Sequence, residues 1–112
     1  MMEYVIKSRI WIEVDGNILL GKGRVNLLKA IEQTGSLSKA AKALNMSYKK
    51  AWNLVNDVNV RAQNAVVKTS IGGKGGGGAI LTPYGKTLIG IFESINENCH
   101  SFLDNQLIKT EL

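Results

Sequence analysis

The sequence predicts a mainly helical α+β fold, and three observations predict it. Between Ser36 and Gln63 two amphipathic segments meet at an asparagine, the pattern of two short helices joined by a tight turn. Directly after them, strand-forming residues flank Gly72 to Gly78, a run of six glycines around one lysine. From Leu81 to Phe102 apolar residues recur every seven positions, the mark of one long helix with an apolar seam. With 112 residues the chain has room for a single domain, 1–112, and one modest core.

Taken in order, Ser8 to Val14 alternates Ile10, Ile12 and Val14 with Arg9, Trp11 and Glu13, a period-two strand. Asp15-Gly16 is a hairpin turn signal and Asn17 to Leu20 the return strand, so residues 8–20 read as an N-terminal hairpin. A helix follows with a stripe of Val25, Leu27, Leu28 and Ile31, and Gly35 stands at its C-terminal end. Ser36 can cap a second helix whose inward face is Leu37, Ala40, Ala41 and Leu44. Asn45 tolerates the left-handed conformation that would end it. Ser47 can cap a third helix carrying Ala51, Val55, Val58 and Ala62 on one face. Residues 36–65 therefore form a helix-turn-helix, and 66–81 a glycine-tipped hairpin of the kind called a wing. Thr82-Pro83 supplies a cap and an N1 proline for a last helix over 82–107. Its seam is Leu88, Ile91, Ile95 and Phe102, continuing the repeat from Leu81 and Tyr84.

Charge narrows the function. The net charge is +5, and from Leu37 to Lys86 eight lysines and arginines face Asp57 alone. After Thr87 only Lys109 opposes Glu93, Glu97, Asp104 and Glu111. A positive field confined to the middle of the chain suits a polyanion. No apolar run is long enough to span a membrane. The single Cys99 rules out an internal disulfide and points to a reducing cytoplasm. Cys99 and His100 lack the second ligand pair that a zinc site needs, so neither metal nor cofactor is expected.

A glycine-rich loop with a lysine raises the question of whose phosphate it serves. Gly73 to Gly78 satisfies G-x-G-x-x-G, but dinucleotide glycines must open a helix, and these are followed by the strand-like Ala79 to Leu81. Gly85-Lys86-Thr87 imitates the end of a P-loop, yet the required upstream glycine position holds Ile80. A nucleotide-binding protein using Gly72 to Gly78 remains the alternative in a different class. A protein-interaction module on the same fold is a third, disfavoured by Lys49 and Lys50. The strand, glycine tip and strand beside a basic helix-turn-helix fit double-stranded DNA best, with Gly73, Lys74 and Gly75 approaching the backbone.

The stretches GSLSKAAKALNMSYKKAW (Gly35 to Trp52) and GGKGGGGAILTPYG (Gly72 to Gly85) resemble the DNA-binding domain of ModE-type, molybdate-responsive transcriptional regulators. The helix-turn-helix of that family is akin to that of LysR-type proteins. The resemblance implies a winged helix-turn-helix, no enzyme activity, molybdenum-related regulation and a homodimer built through long flanking helices, which suits the Leu88 to Phe102 seam. Family members continue into C-terminal β-barrel domains that bind molybdate, whereas this sequence stops at Leu112, so oxyanion sensing is not carried over. Any regulation of such a module would then lie with an unidentified effector or partner protein.

The third helix turns Lys49, Lys50, Asn53 and Asn56 away from its apolar face, with Ser47 and Tyr48 at its N-terminal edge. Asn53 and Lys49 are expected to read bases, since Asn pairs with adenine and Lys reaches guanine. Ser36, Ser38, Lys39, Lys50 and Lys74 are expected at phosphates. Tyr48 is counted with the DNA-facing residues, but it and Trp52 stay open: both border the core stripe, where an aromatic packs more often than it contacts DNA.

Overall fold

The computed structural model describes residues 2–70 and 78–112. Strands β1 (Ile12–Val14) and β2 (Asn17–Leu20) pair antiparallel. Asp15 (φ 52°) and Gly16 (φ 77°) both adopt the left-handed conformation that a two-residue type I′ turn demands. The strand expected from Ser8 begins only at Ile12. Its partner there is Leu20, the last residue of β2, and Gly21 then turns the chain into a helix. Upstream of Ile12 the chain leans on the C-terminal helix instead, with Ser8 Oγ 3.4 Å from Nδ1 of His100.

Helix α1 (Lys22–Thr34) buries Val25, Leu27, Leu28, Ala30 and Ile31. It ends at Gly35, whose φ of 67° lets its N–H donate to the Ile31 carbonyl at 2.8 Å. Helix α2 (Leu37–Ala43) is capped by Ser36, whose Oγ accepts the Lys39 N–H at 3.1 Å. Asn45 holds φ at 53°, and the Met46 N–H returns to the Ala41 carbonyl at 2.9 Å, closing the turn. Helix α3 (Tyr48–Arg61) starts at Ser47, which caps the Lys50 N–H at 3.1 Å, and buries Ala51, Val55 and Val58.

Strands β3 (Val67–Thr69) and β4 (Ala79–Leu81) pair antiparallel and form the stem of the wing. Gly73, Lys74 and Gly75, the expected tip contacts, lie outside the described residues. Helix α4 (Pro83–Ile108) begins where Thr82 Oγ1 accepts the Gly85 N–H at 2.9 Å. Its first turns bury Gly85, Ile89 and Phe92 against the core. Leu81 sits in β4, as the 66–81 wing expects, whereas Leu88, expected in the outward seam, is half-buried against the domain's own core. The imitation P-loop Gly85-Lys86-Thr87 is the first turn of α4, packed on the wing.

Helices α1, α2 and α3, the wing stem and the base of α4 share one core around Leu20, Leu27, Leu28, Ile31, Val58 and Val66. The architecture is a winged helix-turn-helix with an N-terminal hairpin and a long C-terminal helix. No helix among the described residues is long and apolar enough to cross a membrane.

Candidate nucleic-acid interface

The interface is built by helical phase. With Ala51, Val55 and Val58 inward, the side chains of Lys49, Lys50, Asn53 and Asn56 all emerge exposed on the other face of α3. Among the described residues, Lys49 and Lys50 form no ion pair. There too, the Asn53 and Asn56 amides have no hydrogen-bond partner in the protein. Four polar groups on one helix face thus keep their full donor and acceptor capacity for a ligand. Ser38 and Lys39 are exposed on α2 nearby, and Ser36 is half-buried. Ser36 Oγ and Ser47 Oγ already accept cap hydrogen bonds, so each can offer only its O–H to a phosphate.

Tyr48 and Trp52, which the sequence leaves open between packing and DNA contact, both reach the surface. They are 56% and 49% exposed. Each residue along α3 advances about 100°, which carries Trp52 from the buried position of Ala51 to the surface. Both rings therefore flank the polar face and add apolar surface to it.

Four residues to which the sequence assigns no contact hold this face in place. Asp57, the lone acid in the basic middle, accepts from Arg61 Nε at 2.9 Å and from Arg24 Nη1 at 2.6 Å. Arg24 also donates to the Ile18 carbonyl at 3.0 Å, so one guanidinium ties β2, α1 and α3 together. The hydrogen bond from Arg61, then that from Arg24, holds the Asp57 carboxyl below its ordinary range. Asn59 is the fourth. Its Oδ1 accepts the Val66 and Val67 N–H groups at 2.8 and 3.1 Å while its Nδ2 donates to the Val67 carbonyl at 2.9 Å. The i, i+4 spacing of Asp57 and Arg61 is a signal the sequence does carry. Nothing in the sequence marks the partners of Arg24 and Asn59, which arise from the fold.

The wing stem is fixed from the other side as well. The Ala79 N–H donates to the Gly35 carbonyl at 3.0 Å, at the junction of α1 and α2. Thr82 Oγ1 donates to the Ala65 carbonyl at 2.7 Å, and the Thr82 N–H to the Val66 carbonyl at 2.9 Å. Helix α3 and the wing stem are thus one hydrogen-bonded unit. That unit positions a groove-sized helix beside a hairpin, and among the described residues no group of three or more His, Cys, Asp or Glu could hold a metal ion.

Comparison with known proteins agrees with this geometry. No family model matches the chain. It is 49% identical over 70 residues to the transcriptional regulator ModE of Yersinia pestis, covering 62% of this chain and 27% of that protein. It is 35% identical over 97 residues to the molybdenum transport protein ModE of Azotobacter vinelandii, covering 87% and 36% respectively. It is also 43% identical over 86 residues to the molybdenum-pterin-binding protein MopB of Rhodobacter capsulatus, covering 77% and 32%. The chain thus spans about a third of the length of these curated relatives. Among solved structures, a point mutant of MepR from S. aureus superposes with a TM-score of 0.62 at 19% identity, covering 78% of this chain and 65% of that one. That likeness supports the winged-helix fold. The kinship read from the motifs holds over the matched residues: this chain is related to ModE-type regulators there.

Proposed function

We propose, from this kinship with ModE-type regulators, that the chain is a sequence-specific, double-stranded DNA-binding transcriptional regulator. One observation carries it: α3 presents Lys49, Lys50, Asn53 and Asn56 side by side, exposed and unengaged, on a helix anchored to the wing stem through Asn59. A recognition helix lies in the major groove with its N-terminal residues nearest the base edges. Asn53 and Lys49 are the base readers of this proposal, and Lys50, Lys39, Ser36 and Ser38 the phosphate contacts. The exposed seam of α4 supports a homodimer. The names of the relatives support a role in molybdenum-related regulation, exerted in a reducing cytoplasm. The glycine loop serves DNA in this reading and not a nucleotide.

Selection of bound fragments from the source genome, followed by gel shifts on the recovered site, tests the proposal. Asn53→Ala and Lys49→Ala are each expected to lose about 1–3 kcal/mol on the selected site with much smaller losses on random duplex. Equal losses on both would remove them as base readers. Failure to retain any duplex at low salt would overturn DNA binding itself.

A further inference from the structure

We infer that the chain carries a binding site for a small aromatic carboxylate between its N-terminal hairpin and the start of α3. A cavity of about 460 Å³ opens there, walled by residues 9–11 just before β1, by Ile18 of β2, by the beginning of α1, and by Met46, Lys50 and Leu54 of the turn and α3. That volume lies within the roughly 300–1,000 Å³ of ordinary small-molecule sites.

Its lining has two kinds of surface. Trp11, Ile18, Met46 and Leu54 supply apolar walls, and of these Trp11 is 50% and Ile18 44% exposed. The Trp11 indole N–H donates to Glu13 Oε2 at 2.7 Å, which orients the ring at this wall. Arg9, Lys22 and Lys50 supply the rim, and among the described residues no carboxylate lines the cavity. Among the described residues these three cations form no ion pair. Arg24, which also lines the cavity, is by contrast engaged with Asp57 and the Ile18 carbonyl.

Charge and apolar surface together select the occupant. A DNA phosphate would satisfy the cations but leave the tryptophan and isoleucine walls in water. A neutral hydrocarbon would cover the walls and gain nothing from the rim. An aromatic ring bearing one carboxylate meets both, with the ring against Trp11 and Ile18 and the anion at the rim. Lys50 and Leu54 belong to α3 and Met46 to the turn before it, so an occupant touches the helix proposed to read DNA. The site itself does not depend on that proposal.

The test uses the DNA-free protein, so a failure to bind DNA leaves it intact. The indole N–H signals of Trp11 and Trp52 are followed by nuclear magnetic resonance during titration with 2-naphthoate and, separately, with neutral 2-naphthamide. Saturable movement of Trp11 alone is expected for naphthoate, with the amide binding at least about tenfold more weakly for want of the charge-assisted contact. Arg9→Gln combined with Lys22→Gln, both surface changes, should bring naphthoate down to the level of the amide. Equal affinity for acid and amide, saturation that survives the double variant, or movement of Trp52 in place of Trp11 would each overturn the site. So would a response that never saturates.

Discussion

Gly85 shows how one residue can decide the geometry of an interface it does not touch. A Cβ there would lie 2.6 Å from the Val66 carbonyl oxygen and 2.7 Å from Leu81 Cδ1. That carbonyl already accepts from Thr82, so it cannot retreat without breaking the join between wing and α4. Gly85→Ala is therefore expected to destabilise the fold by about 1–3 kcal/mol, the usual cost of overpacking. Gly90 on the same helix has nothing within 4 Å of its would-be Cβ. There alanine should stabilise by about 0.5–1 kcal/mol through its better helix propensity. Denaturant midpoints of the two variants, moving in opposite directions, check the pair. Asp57 makes a second prediction at this scale. Its carboxyl is held below the ordinary value of 3.8 by Arg61 and Arg24. The resulting stabilisation is fully present above the unfolded value and is lost as the pH falls through the lowered folded one. Melting temperatures of wild type and Asp57→Asn should accordingly differ at neutral pH and converge on acidification below about 4. A gap that persists undiminished at low pH would exclude the ion triad as its cause.

At the scale of elements, α4 has two faces with different roles. Gly85, Ile89 and Phe92 bury its first turns in the domain. On the adjoining face Ile91, Ile95 and Phe102 are 47, 48 and 62% exposed, a row of large apolar side chains that the described residues leave uncovered. Exposed apolar rows at seven-residue spacing are covered when two such helices meet. Ile91→Asp with Ile95→Asp leaves the inward face untouched. Sedimentation equilibrium should then show a dimer for wild type at micromolar concentration and a folded monomer for the variant. A wild-type monomer under those conditions would mean that the seam has no role in self-association.

Considered whole, the molecule is elongated, 61 × 32 × 22 Å, with a radius of gyration of 17.1 Å. A compact domain of this length would have one of about 13 Å. The excess comes from α4, whose 26 residues reach about 39 Å at 1.5 Å per residue and run well past the core that holds their start. Charge follows the same division. The bases concentrate on the helix-turn-helix and wing, while Glu93, Glu97, Asp104 and Glu111 load the distal helix and tail. In the proposed complex this division draws duplex to the basic end and leaves the acidic end facing away. Lys74→Ala should weaken binding to all sequences alike and reduce the slope of log affinity against log salt by about 1, the signature of one lost phosphate contact. An unchanged slope would take Lys74 off the phosphate list.

Local physics was legible without coordinates. Ser36, Ser47 and Thr82 cap their helices because a short hydroxyl before an apolar-periodic run satisfies a free N–H. Gly35 and Asn45 stop them because few residues tolerate positive φ. Those caps set the phase of α3, and phase alone brings Lys49, Lys50, Asn53 and Asn56 to one face. What sequence reasoning missed depends on distant segments meeting. The late start of the first strand, the exposure of Trp52, Arg24 reaching Asp57, and Asn59 clasping the wing are such cases. The sequence by itself determined the elements, their ends and their polar faces, since these follow from hydrogen bonds and periodicity within a few residues. Only the tertiary structure decided how the wing, α1 and α3 lock together, because hydrogen bonds between distant segments have no period to announce them.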